Sequence, residues 1–184
     1  IEVPTQCGQG DHPNIASFVT NDRQLTGEDN WNVHWVVDCF EGCTLTQGYW
    51  KTHNDSFWGG APTDETWDLL RGGLAEDTLF FSSGITWFDV FWTAPKGNAW
   101  YQLAHQYMAA KLNILAGADP AAVNATIASA EAFFANPLYD TPAEFAALGK
   151  KAPIRAQVIG WAGILGSYNE GLIGPGHCDE QIPD

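Results

Sequence analysis

The sequence predicts a mainly α protein, a compact, disulfide-closed helical body preceded by an N-terminal β-strand arm. Three observations predict it. From Pro62 onward apolar residues recur at three-and-four spacing. Between residues 31 and 39 they alternate instead, with Trp31, Val33, Trp35, Val37 and Cys39 set between Asn32, His34, Val36 and Asp38. Cysteines at 7, 39, 43 and 178 flank both parts. Four cysteines permit three pairings, and because a Cys39–Cys43 bridge needs a tight local turn, Cys7–Cys39 with Cys43–Cys178 ranks first while the others stay open. A Cys43–Cys178 bridge would close almost the whole C-terminal body into a ring and remove roughly 5 kcal/mol of unfolded-chain entropy. The expected division is an arm over 1–42 and a helical domain over 43–184.

Within the arm, residues 31–39 form the clearest strand. A second, weaker candidate is Ile15–Thr20, bounded by His12-Pro13-Asn14 and Asn21-Asp22. The polar stretch from Asn21 to Asn30 is too long for a two-residue hairpin, so the strands pair through a looser loop or take different partners. Nothing else in the chain reads as sheet. One or two strands alone are marginal in water, so the arm must lie on the body, pair with itself there, or add to a neighbouring molecule.

The body reads as helices in succession. Thr63 caps a short helix with Asp64 and Glu65 in its first turn, ended by Gly72-Gly73. Residues 86–92 form a second, stopped by Pro95. The longest starts at Asn98 and runs to Ala116, with Trp100, Leu103, Ala104, Tyr107, Met108, Leu112 and Leu115 as its inward stripe. Asp119-Pro120 starts the next, whose stripe is Val123, Ile127, Ala130 and Phe134, and the short joint predicts antiparallel neighbours. A short helix at 142–148 and a long one at 153–169 follow, the latter facing inward with Ile154, Val158, Trp161, Leu165 and Tyr168 and ending at Gly171. Gly160, Gly163 and Gly166 each cost it up to about 1 kcal/mol relative to alanine, so close approach of another helix is expected there.

Composition narrows function. With 184 residues, 45% hydrophobic and nine of them tryptophan, the chain can build a sizeable core. A formal net charge of −14, from 8 basic and 22 acidic residues, sets it against nucleic acid. No apolar run approaches the roughly 20 residues that span a bilayer. An even cysteine count points to an oxidising compartment, and a start at Ile1 with no basic, apolar leader reads as a processed, exported product. Two N-x-S/T tripeptides make Asn54 and Asn124 candidate glycosylation positions, the second inside a predicted helix.

Catalytic patterns are sparse. His53, His105 and His177 are weak candidate metal ligands without HExxH, an i,i+4 histidine pair or CxxC, and the calcium pattern DxDxDG is missing. Ser82-Ser83-Gly84 is no nucleophile elbow, and Gly8-Gln9-Gly10 and Gly174-Pro175-Gly176 lack the basic residue of a phosphate loop. Glu65, Asp68, Glu76, Asp77 and Asp89 lie near Trp58, Trp67, Trp87 and Trp92, a composition suited to glycan binding or to acid–base hydrolysis of a glycan. Helix-start acids and core tryptophans account for most of them. No cofactor is expected and no catalytic residue is assigned.

Four segments carry a resemblance: CTLTQGYWKTH at 43–53, GNAWYQLAHQYMAAKLNILAGA at 97–118, YNEG at 168–171 and LIGPGHC at 172–178. Together they resemble a module of exported bacterial proteins marked by a CTxTQGYWKxH start, a GNxxxxLAHQxxAAKLN helix and a GLIGPGHC end. It covers about residues 43–178. The resemblance implies secretion and supports the Cys43–Cys178 bridge, and brings no catalytic residue. Where that module has proline soon after its first histidine, this chain has Asn54 and Asp55.

These readings converge on a secreted or cell-surface, non-enzymatic structural protein of the bacterial exterior. It would be a subunit of a fibre or matrix whose partner is itself, with Ile15, Phe18, Trp31, Val33, Trp35 and Val37 on the assembly arm. The alternative is a secreted glycan-binding protein or glycoside hydrolase.

Overall fold

The computed structural model describes residues 8–37, 42–57, 62–70 and 74–178. The chain divides into two compact units, Ile1–Phe40 and Glu41–Asp184.

The first unit holds strands β1 (Gly8–Val19) and β2 (Thr26–Val37), paired antiparallel in unbroken register from Gly8 opposite Val37 to Val19 opposite Thr26. Thr20 closes the connection. Its N–H donates to the Leu25 carbonyl at 2.8 Å, and its hydroxyl accepts from the Leu25 N–H at 3.0 Å. Of the two arrangements the sequence leaves open, the strands pair with each other through a loop rather than with different partners. β2 starts five residues before the apolar alternation does, because Thr26–Asn30 pair through backbone groups that side-chain polarity does not report.

The second unit is mainly helical. Its helices are α1 (Gln47–Thr52), α2 (Trp87–Trp92), α3 (Ala99–Leu115), α4 (Asn124–Phe134), α5 (Pro142–Ala147) and α6 (Ile154–Asn169), with 3-10 turns at Glu65–Leu69 and Ala75–Asp77. Side-chain caps set most starts: Thr46 accepts from the Tyr49 N–H, Thr86 from Asp89, Asn98 from Trp100 and Thr141 from Glu144. Two starts differ from expectation. Asp64, not Thr63, caps the first 3-10 turn by accepting from the Thr66 N–H. Asp119 accepts from the Ala121 N–H, and turns carry the chain on to Asn124 before α4 begins.

Helix α3 lies at the centre. Trp100, Leu103, Ala104, Met108, Ala109, Ala110 and Leu112 are fully buried, and side chains the size of leucine and methionine contribute about 1.5–3 kcal/mol each when buried. Phe80 meets Trp100, Tyr107 and Phe134 edge-on at centroid distances of 5.4, 6.0 and 4.8 Å. Helices α3 and α4 run antiparallel, since Glu131 meets Lys111 while Phe134 meets Trp100. Helix α6 turns Val158, Leu165 and Tyr168 inward, as its spacing predicts. Its glycines do not behave as expected. Only Gly166 has a close neighbour, Gln106, whereas a Cβ at Gly160 or Gly163 would meet nothing within 4 Å. No helix of the described residues is long and apolar enough to cross a membrane.

Candidate functional site

A seam joins the start of the second unit to its end. Cys43 and Cys178 are disulfide-bonded across a sequence separation of 135 residues. Thr44 N–H and Cys178 N–H donate to the Gly176 and Thr44 carbonyls at 2.8 and 2.9 Å, so the covalent link sits inside a short parallel backbone bridge. Gly171 (φ +68°) packs its α-carbon against the His177 backbone, where a Cβ would collide. Gly174 lies beneath the Tyr168 ring, and the Tyr168 phenol donates to the Asp119 carbonyl at 2.9 Å. Burial, with the Asp119 charge second, pushes the Tyr168 phenol up to about 12. Cys7 and Cys39 lie outside the described residues.

A buried amide chain backs the seam. Asn113 Oδ1 accepts from Leu45 N–H at 2.8 Å and Trp50 Nε1–H at 2.9 Å, while its Nδ2 donates to Leu45 O at 2.9 Å and Asn169 Oδ1 at 3.0 Å. All four bonding positions of the carboxamide are filled. Asn169 Nδ2 passes the chain on to the carbonyl and the side-chain oxygen of Gln106, both at 2.9 Å. Sequence reasoning overlooked this device. Asn113 lies off the apolar stripe of α3, on a helix that also carries Gln102, His105, Gln106 and Lys111, so its burial left no local signal; a buried amide persists only when fully bonded.

The hairpin presents the opposite chemistry. Trp31 is 74% exposed, and Ile15, Phe18, Val19 and Leu25 are also exposed. The register places Phe18 and Trp31 on one face and Ile15 and Val19 on the other. The Phe18 ring lies across Gly27, where a Cβ would collide with it. Val33, Trp35 and Val37 occupy register positions opposite His12, Gly10 and Gly8. Of the described strands, β1 and β2 pair only with each other, leaving the outer edge of each without a partner strand.

The remaining sequence candidates are dispersed. His53 Nδ1 sits 2.8 Å from the Tyr49 carbonyl, His105 Nε2 2.7 Å from the Val90 carbonyl and His177 Nδ1 2.6 Å from the Cys178 carbonyl. Carbonyls only accept, so each of these nitrogens carries the proton. Burial pulls the His105 imidazole below its ordinary value. No group of three or more His, Cys, Asp or Glu able to hold a metal ion occurs among the described residues. Asn54 is buried in the folded chain, and its amide nitrogen donates to the Trp50 and Lys51 carbonyls. Asn124 is exposed at the start of α4.

The tryptophan and carboxylate group divides likewise. Trp67 and Trp87 are core residues, and Trp58 lies outside the described residues. Buried Glu76 accepts from the Ser56 N–H and hydroxyl at 2.8 and 2.7 Å, the arrangement of a structural carboxylate that closes a turn. Trp92 is exposed, but it stacks on Phe57 at 5.3 Å and lies under the Lys51 ammonium at 4.2 Å.

Comparison with protein families, curated proteins and solved structures finds no match to this chain.

Proposed function

We propose that this chain is a non-enzymatic structural protein of the bacterial exterior, an assembly subunit that uses its N-terminal hairpin to contact a neighbouring molecule. The observation that carries the reading is the hairpin itself. Two 12-residue strands expose Trp31 and Phe18 on one face and leave both outer edges without a partner strand among the described residues. A two-stranded sheet is marginal alone; strand addition at either edge satisfies its backbone, and a neighbour packed on the Trp31 and Phe18 face covers its apolar side chains. A contact between unlike surfaces of successive copies propagates into a filament unless its rotation closes a ring.

The helical unit suits a scaffold. Its aromatic side chains are largely spent on the core, and the bonded seam at Cys43–Cys178 fits an oxidising compartment. Secretion belongs to this proposal. Negative-stain electron microscopy of the purified chain tests it: wild-type protein forms fibres or sheets, and a Phe18→Ser, Trp31→Ser double variant does not. Dispersed single particles of wild type at high concentration would remove the proposal.

A glycan-binding reading draws on one observation, the exposed Trp31 indole, which is free in size and polarity to stack on a sugar ring. A glycan array separates it from assembly.

A further inference from the structure

We propose that the cleft between α3, α4 and the segment carrying Leu69 and Leu79 is a binding site for a small uncharged molecule that joins an apolar ring to an amide. This inference is independent of the assembly reading. The cleft has a volume of about 880 Å³, within the range of sites that take small molecules. Its walls are apolar, with Leu69, Leu79, Phe81, Trp87 and Leu115 among them, so the body of the ligand is apolar and ring-sized.

The polar groups define the other end. Lys111 Nζ and the Tyr107 phenol both donate to Glu131 Oε1 at 3.1 Å. The described residues give no partner to Glu131 Oε2 or to the other ammonium hydrogens of Lys111. An ammonium and a carboxylate side by side, each with spare capacity, match a group that accepts and donates together. An amide does so, with its carbonyl on Lys111 and its N–H on Glu131. The pair is neutral as a unit in a molecule of net charge −14, which disfavours an anionic ligand. The Thr78 hydroxyl, in the same lining, is buried without a partner and supplies a further polar point in the wall. Phe81 holds its ring in the lining from a left-handed backbone (φ +51°), a conformation that disfavours a bulky side chain and that surrounding packing must enforce.

The test is an NMR titration of the full chain with N-acetylphenylalanine amide, alongside toluene, N-acetylphenylalanine with its free carboxylate, and methyl N-acetylglucosaminide. The expected result is saturable one-site binding of the neutral aromatic amide, with shifts centred on Leu79, Ala132 and Ala135. Ala132→Trp or Ala135→Trp, at exposed positions on the rim, weakens it at least tenfold, and Lys111→Met or Glu131→Gln weakens it about tenfold. Ala143→Trp, exposed on α5 outside the cleft lining, leaves it unchanged. Absence of saturable shifts, equal binding by both rim-filled variants, or toluene binding as well as the amide would overturn the proposal. Tighter binding of the N-acetylated sugar would overturn its apolar body.

Discussion

The carboxamide of Asn113 pairs with both backbone groups of Leu45, accepting its N–H at 2.8 Å and donating to its carbonyl at 2.9 Å. One side chain on the central helix thus bonds Leu45 as a neighbouring strand would, two residues beyond the Cys43–Cys178 bridge. Covalent and hydrogen-bonded closures of the second unit therefore meet at one place.

Replacing Asn113 with leucine keeps the volume but leaves the Leu45 N–H and carbonyl, the Trp50 indole N–H and Asn169 Oδ1 short of a partner. Each buried orphan costs about 1–3 kcal/mol, so a loss on the order of 4 kcal/mol is expected in urea unfolding. A loss under about 1 kcal/mol would mean the network is ornamental.

Removing the bridge by a Cys43→Ser, Cys178→Ser double substitution frees a loop of 135 residues. The loop-closure relation predicts a loss of roughly 5 kcal/mol, read as a lower urea midpoint, with the helical circular dichroism signal retained in the absence of denaturant. Equal midpoints would show that the backbone bridge at Thr44 and His177 suffices alone.

Gly171→Ala introduces a side chain at φ +68° and against the His177 backbone at once. A destabilisation on the order of 2 kcal/mol is expected, measured by thermal unfolding. Gly163→Ala is the control, because its Cβ meets nothing within 4 Å and alanine favours the helix, so stability rises.

His105 shapes the acid limit, and Tyr168 and Tyr107 shape the alkaline one. The folded His105 pKa lies below the ordinary 6.5, so its contribution is present above that value and is lost as pH falls through the folded pKa; His105→Gln flattens this acid limb. The folded Tyr168 pKa is raised to about 12 from an ordinary 10, so its contribution is full below pH 10 and is lost as pH climbs toward 12. Tyr168→Phe shrinks that alkaline limb and leaves the share of Tyr107, whose phenol burial and then the Glu131 charge push up further. Stability measured from pH 4 to 11 checks both signs.

What was legible in the sequence followed from side-chain periodicity. Helix α3 begins after Asn98 as its cap predicts, α2 begins after Thr86, and α6 buries the expected Val158, Leu165 and Tyr168. The misses have a common cause. Helix α1 at Gln47–Thr52 is too short to show a period, and the first half of β2 is polar, so its backbone pairing leaves no apolar trace. Asn113 and Asn169 were visible as letters of a motif, but their mutual bond spans 56 residues of sequence and no local pattern encodes it. The unfilled space beside Gly160 and Gly163 was equally invisible, because a glycine reports permission for close approach and not the approach itself.

The proposed assembly must also contend with charge. Copies of net charge −14 repel, so raising ionic strength from about 0.01 M to about 0.15 M, which shortens the screening length from about 30 Å to about 8 Å, should shift the equilibrium toward assembly.

Sedimentation velocity of the full chain across a hundredfold concentration range, at physiological salt, tests the hairpin account most directly. The account predicts a weight-average sedimentation coefficient that climbs with concentration for wild type and stays flat for the Phe18→Ser, Trp31→Ser variant. A wild-type boundary that remains that of a single monomer throughout would contradict it.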